Sequence, residues 1–254
     1  MAEATTTEPK TNIDYEKIYD SHADTLKMFE YEGRAKTHEY RRFNTFLDLA
    51  KFPKDSKILD SGAGDGPMTV YFAQNGFKNI TGMDISQKRI DRLNEFLHKN
   101  NLPGKGLTGD VFNHPFEDSA YDVVISSEVI EHLHDPDKAL RDMVRVLKPG
   151  GTLLLSTMEN ENVRKERCIH CNKLTPHYGH VQIFSEKRLR EMFSKAGLEI
   201  EAVRHVLSTL NSKKSTGAIF NRLPFWLWKI AETMVRWTRI IPNRWIVIRA
   251  RKVS

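Results

Sequence analysis

Strand-like and helix-like stretches alternate along most of this 254-residue chain, which predicts an α/β fold with a largely parallel sheet sandwiched between helices. Two local features reinforce that expectation. At residues 58–66 a short apolar stretch runs through a glycine-rich turn straight into a helix, and the apolar run Val123-Val124-Ile125 suits a buried strand.

Residues 1–11 are polar and unpatterned and are expected to be a disordered tail, with one domain over 12–254. Between 12 and 51 Phe29, Ala35, Tyr40, Phe43, Phe46, Leu47 and Ala50 recur at helical spacing, as helices leading into a core would. A strand at 56–60 precedes a helix at 67–74, which opens on Pro67 and closes before Gly76. A strand at 80–84 follows, then a helix at 87–100 with Ile90, Leu93 and Leu97 on one face. Strands are expected at 107–110 and 121–127, and a helix at 136–147 closed by Lys148-Pro149-Gly150-Gly151. The pattern continues with a strand at 152–157, a helix at 185–196 stopped by Gly197, and a strand at 198–206. Residues 245–250 alternate like a final strand, leaving 207–244 as an insertion.

With 39% hydrophobic and 28% charged residues, the composition excludes a disordered, collagenous or disulfide-stapled chain. No stretch approaches the ~18 consecutive apolar residues of a spanning helix, and the polar start lacks the core of a secretory signal, so a cytoplasmic protein is expected. The net charge of +6 is unevenly spread. From Arg204 to Ser254 eleven Lys and Arg stand against one acid, Glu232, which leaves the first 203 residues net negative. All four tryptophans (Trp226, Trp228, Trp237, Trp245) lie in that basic end, which therefore calls for an anionic neighbour: a membrane surface, a nucleic acid or a charged substrate.

The glycine turn reads Ile58-Leu59-Asp60-Ser61-Gly62-Ala63-Gly64-Asp65-Gly66. Glycines there let a ligand approach main-chain N–H groups at a helix start. A dinucleotide site would want a glycine at 67, where this chain has proline. Instead Asp60 is placed to face an amino group, Asp84 ends the second strand where a ribose diol would lie, and Asp110 ends the third, where an exocyclic amine could donate to it. A ligand with an amino acid, a ribose and an adenine but no phosphate fits that set.

These residues resemble the class I S-adenosylmethionine-dependent methyltransferases. The resemblance runs from Lys57 to Glu201 through the glycine loop, Met83-Asp84, Gly109-Asp110-Val111, the strand at 122–128 and Arg145-Val146-Leu147-Lys148-Pro149-Gly150-Gly151, in the family's order. It implies a Rossmann-like, doubly wound sheet of seven strands with helices on both faces and an antiparallel last strand. It also implies S-adenosylmethionine as cofactor. Gly62, Ala63 and Gly64 would meet that cofactor through the backbone, Asp84 its ribose hydroxyls, Ile85 and Val111 the adenine faces, and Asp110 the adenine amine. Asp60 and Ser127 would sit around the methionine moiety.

After the fourth strand stand Ser127-Glu128-Val129-Ile130-Glu131-His132. In quinone-precursor O-methyltransferases and in enzymes that methylate small-RNA 3′ ends, a Glu-x-x-Glu-His pattern helps hold a divalent ion, and Glu128, Glu131 and His132 match it. Carboxylates with one imidazole suit Mg²⁺ or Mn²⁺, which would acidify a hydroxyl. On the alternative reading Glu131 and His132 line the acceptor cleft without metal, with His132 as the base. Cys168, Cys171, His177 and His180 form a second constellation, CxxC with HxxH, of the ligand types tetrahedral zinc prefers. Such a zinc knuckle would stiffen the 158–184 loop. Against it stand idle thiols, a His180 that merely opens the following helix, and a His180 that completes the Glu128/Glu131/His132 group.

Within 207–244, Leu223, Trp226, Leu227, Ile230, Met234, Trp237 and Ile241 follow helical spacing, with Lys229, Glu232, Arg236 and Arg239 on the other side. That stripe fits an anionic bilayer and peripheral membrane association, packing against the sheet, or a cover for the active site; nucleic acid fits less well because cations do not interleave the apolar face. The function expected is O-methylation of a small-molecule or lipid-like acceptor. The alternatives are methylation of an RNA 3′-terminal ribose and a non-catalytic S-adenosylmethionine-binding scaffold.

Overall fold

The computed structural model describes residues 14–23, 34–163, 165–167, 172, 174–176, 179–206, 224–237 and 245–253. Its strands are β1 (Lys57–Ser61), β2 (Asn79–Asp84), β3 (Lys105–Thr108), β4 (Tyr121–Ser127), β5 (Leu147–Met158), β6 (Lys165–Arg167), β7 (Leu174–Pro176), β8 (Leu198–Val206) and β9 (Trp245–Lys252). Its helices are α1 (Tyr15–Ala23), α2 (Arg34–Leu49), α3 (Pro67–Gln74), α4 (Gln87–Lys99), α5 (Pro136–Val146), α6 (Glu186–Lys195) and α7 (Phe225–Trp237). Seven strands make one sheet in the order β3-β2-β1-β4-β5-β9-β8, while β6 and β7 form a separate ribbon. β9 runs antiparallel to both β5 and β8, between them, and the remaining pairs of the seven-stranded sheet are parallel, while β6 and β7 pair antiparallel. This is the doubly wound, Rossmann-like sheet with an antiparallel last strand.

Successive strand residues point to opposite faces, and each face has its own core. Leu59, Val124, Ile246 and Ile248 pack with α5 and α6 through Leu140, Met143, Leu189 and Phe193. Ile58, Val123, Ile125 and Val247 pack with α2, α3 and α7 through Phe46, Phe72 and Trp228. The helix starts are capped as their sequences suggest: Asp135 accepts from the Lys138 N–H (2.9 Å) and Ser185 from the Arg188 N–H (3.2 Å).

Element limits differ from the sequence reading at two instructive places. Residues 148–151 do not form a loop after α5. They belong to β5, whose pairing jumps from Tyr121↔Leu147 to Val123↔Thr152, so the glycine pair makes a bulge inside a strand. β3 ends at Thr108, before Asp110, with the Gly109 N–H making the last bond to β2, at the Asp84 carbonyl (2.9 Å). The tail at 1–11 lies outside the described residues.

Candidate functional site

Every parallel strand delivers its carboxyl end to the same edge, where loops can converge. The glycine loop is sewn to its neighbour there. The N–H groups of Gly62 and Ala63 both donate to the Met83 carbonyl at 2.8 Å. Gly62 has φ +79°, and a Cβ on it would stand 2.5 Å from a Val129 methyl, so only glycine fits. Asp84 Oδ2 accepts from the Gly64 N–H (2.8 Å) and Oδ1 from the Ser86 N–H (3.0 Å). Each oxygen retains capacity for a further donor such as a hydroxyl. Burial pushes the Asp84 carboxyl above the usual carboxylate range.

Asp60 is placed otherwise. Its Oδ2 turns into α3 and accepts from the N–H and hydroxyl of Thr69 (3.0 and 2.7 Å), away from the cavity wall, and burial raises it to about 6. Asp110 is exposed at the cavity rim and accepts from the Phe112 N–H (2.9 Å). Behind both loops lies a buried chain missed in the sequence. Ser61 Oγ meets His114 Nε2 at 2.8 Å, and His114 Nδ1 meets Asp142 Oδ2 at 2.6 Å. The residue types are those of a nucleophilic triad, but Ser61 is fully buried. The chain is therefore a strut joining the glycine loop and the 110–114 loop to α5.

At the end of β4, Glu128 adopts a left-handed backbone, φ +58°. Its Oε1 accepts from Ser156 Oγ (2.8 Å) and pairs with Arg42 Nη1 (3.2 Å), while Oε2 accepts from Trp245 Nε1 (2.7 Å). Ser127 lies beside it, its Oγ 3.1 Å from that of Ser156. A single 3₁₀ turn, Ile130–His132, then brings Glu131 inward and His132 to the cavity. The Glu131 carbonyl accepts the N–H groups of Val181 and Gln182 (2.8 and 3.0 Å), which fastens the 158–184 loop over this turn.

One ligand atom each from Glu131, His132 and His180 lies within 4.8 Å of the others. Glu131 is buried: Oε2 accepts from Thr157 Oγ1 (3.0 Å) and Oε1 has no hydrogen-bond donor. Burial, helped by the nearby Glu128 charge, lifts its carboxyl well above the usual range. His132 Nδ1 faces the Gly179 carbonyl (3.3 Å) and His180 Nδ1 the Glu161 carboxylate (2.5 Å). With Nδ1 as the donor in each ring the lone pair falls on Nε2, the usual arrangement for imidazoles that bind cations. The orphaned oxygen and paired rings fit a divalent ion. Glu128, engaged by Arg42, Ser156 and Trp245, stands outside this group, and His180 joins it. Cys168, Cys171 and His177 lie outside the described residues.

These parts surround one cavity of about 700 Å³. Gly62, Ala63, Gly64, Asp84, Ile85, Asp110, Val111 and Ser127 line it, and so do Glu128, His132 and His180; Asp60 and Glu131 stand behind the wall. Sequence reasoning missed α1 and α2 as walls. Tyr15 reaches across to the His132 carbonyl (3.2 Å) and lies against His134, while Tyr19 lies under the Arg89 guanidinium. From α2 come Glu39, Tyr40, Arg42 and Phe43. The Tyr15/Tyr19 pair, four residues apart, was the available signal.

A family model described as a methyltransferase domain matches residues 31–203. Tocopherol O-methyltransferase of Arabidopsis thaliana is 31% identical over 127 residues, covering 49% of this chain and 36% of that protein. Ubiquinone biosynthesis O-methyltransferase of Proteus mirabilis is 28% identical over 157 residues, covering 60% of this chain and 64% of the relative. The chain thus spans less than two thirds of the length of these relatives. Among solved structures, the 4+2 cyclase SpnF superposes with a TM-score of 0.62 at 21% identity over 84% of this chain and 80% of its own, a likeness of fold alone.

Proposed function

The chain belongs to the class I S-adenosylmethionine-dependent methyltransferases, and from that premise we propose that it transfers the methyl group of S-adenosylmethionine to a hydroxyl of a small, apolar or lipid-like acceptor. The observation that carries this reading is a continuous cavity that runs from Asp84 and Asp110 past Ser127 to His132 and His180. Asp84 accepts from the ribose hydroxyls, Ile85 and Val111 flank the adenine, and the acceptor occupies the wall formed by Tyr40, Phe43, Tyr71, Met158 and Trp245. The names of the two O-methyltransferase relatives support an oxygen acceptor.

Transfer is an in-line displacement. The acceptor oxygen forms a bond to the methyl carbon as the carbon–sulfur bond breaks, S-adenosylhomocysteine leaves, and the hydroxyl proton passes to His132, which releases it to solvent. The enzyme contributes mainly positioning and this proton transfer. On the alternative reading Glu131, His132 and His180 would hold a divalent ion, which when bound would acidify the hydroxyl, and His132 would then be a ligand and not the base. For Cys168, Cys171, His177 and His180 a zinc knuckle is the competing proposal, in which His180 would serve zinc and not the Glu131/His132 group. Methylation of an RNA 3′ end is the weaker reading, because Glu39 and Glu128 in the cavity wall disfavour a polyanion. A scaffold without activity leaves the His132 geometry without a use.

The test incubates the protein with methyl-labelled S-adenosylmethionine and separate lipid, small-molecule and RNA extracts. Label should enter the first or second, and His132→Ala should slow transfer roughly 100-fold or more while cofactor binding persists. Label confined to RNA, or transfer unchanged in the variant, contradicts the reading.

A further inference from the structure

Helix α7 shows apolar residues on two sides, and the sides have different surroundings. Trp228 is 1% exposed, with the Arg41 guanidinium 5.1 Å from its ring centre and Phe225 stacked at 6.0 Å. Next to it Lys229 Nζ pairs with both carboxylate oxygens of Asp48 (3.0 and 2.9 Å). Those contacts fasten α7 to α2. Trp226, Ile230 and Met234, spaced i, i+4 and i+8, are 62%, 47% and 68% exposed. Scattered apolar residues at a surface need no explanation, but a stripe of a tryptophan, an isoleucine and a methionine along one helix does.

Its setting indicates what covers it. Between residues 207 and 244 seven Lys and Arg stand against Glu232 alone. A second copy would bring its net-negative first 203 residues to that charge, and self-association is therefore one of the outcomes of the test. An anionic bilayer offers headgroup charge and an apolar layer at the depth an interfacial helix reaches, where tryptophan is favoured. No helix among the described residues is long and apolar enough to cross a membrane.

We propose that Trp226, Ile230 and Met234 seat α7 in the interface of an anionic bilayer. The opposite side of the same helix holds α2 through Trp228 and Lys229, and α2 supplies Glu39, Tyr40, Arg42 and Phe43 to the cavity. Docking would therefore hold the acceptor side of the cavity one helix away from the lipid surface. Only this last consequence rests on the methyl-transfer reading.

The test is cosedimentation of the full chain with phosphatidylcholine vesicles, with and without phosphatidylglycerol, in the absence of cofactor and acceptor. The wild type should sediment with the anionic vesicles, less so as salt rises, because headgroup attraction is screened. Trp226→Ser with Ile230→Ser and Met234→Ser should weaken that partition by roughly tenfold or more at unchanged melting temperature. Arg236→Glu with Arg239→Glu should weaken it on the anionic vesicles as well. No binding by the wild type, binding undiminished in the folded triple variant, or self-association that the triple variant abolishes would each overturn the proposal. Vesicle binding by a protein that transfers no methyl group would uphold the docking and sink the methyl-transfer reading alone.

Discussion

On the β1, β2 and β3 side of the cavity, short loops at strand ends make the site, and backbone groups do most of the work: Gly62 and Ala63 bond to Met83, and Gly64 to Asp84, 20 positions away in sequence. On the α2 side the same cavity is assembled from distant chain segments. Trp245 reaches Glu128 across 117 positions and Lys229 reaches Asp48 across 181. The first kind of wall depends on backbone conformation and the second on tertiary packing, so substitutions should expose the difference.

A large effect on both stability and cofactor binding is expected at Gly62. A side chain there meets both a left-handed backbone, costing about 1–2 kcal/mol, and the Val129 methyls, costing about 1–3 more. Gly62→Ala should therefore lower stability by about 2–5 kcal/mol in a chemical denaturation curve and weaken cofactor binding with it. A variant as stable as the wild type would show that the loop is less constrained than its geometry implies.

Next come Trp226 and Trp228, two of the three tryptophans of α7, separated by one residue. Trp228→Ala removes a buried ring and should cost about 3–5 kcal/mol, whereas Trp226→Ala removes an exposed one and should stay within about 0.5 kcal/mol. Equal losses in thermal melts would place both rings in the core and erase the distinction between the helix's sides.

A smaller effect belongs to the strut behind the cofactor wall. Burial holds His114 below the ordinary histidine range, against an opposing hydrogen bond from Asp142. As pH falls below the unfolded value of about 6.5, the unfolded chain takes up a proton that the native chain refuses, so stability declines through that window. Asp60, raised to about 6 by burial, works the other way, because its native form takes up a proton first. The difference between wild type and His114→Gln isolates the histidine: the variant's melting temperature should fall less between about pH 7 and pH 5.5. Parallel curves would remove His114 from the account.

This contrast also explains how much could be read before the fold was known. The strands and helices from β1 through β5 were legible because periodicity, Pro67 and Gly76 are local signals, and the acids at strand ends inherit their placement from the sheet. Asp60 shows the limit of that inheritance: its spacing matched a cofactor contact, yet its carboxylate turns to Thr69. The acceptor wall was not legible. Tyr15, Tyr19 and Arg42 lie in helices that read only as lead-in to a core, and their neighbours come from β4, α4 and β9. The stripe on α7 was visible, but its direction depended on Trp228, which falls outside the stripe and does the packing.

We propose that the carboxyl edge of β1, β2 and β3 holds S-adenosylmethionine, with Asp84 on its ribose. Titration calorimetry of S-adenosylhomocysteine into the wild type and Asp84→Ala, with melting curves to establish that both are folded, tests it most directly. One site per chain is expected in the wild type, weakened in the variant by about 1.5–3 kcal/mol, roughly ten- to a hundredfold. No binding to the wild type, or the same affinity in a folded Asp84→Ala, would contradict it.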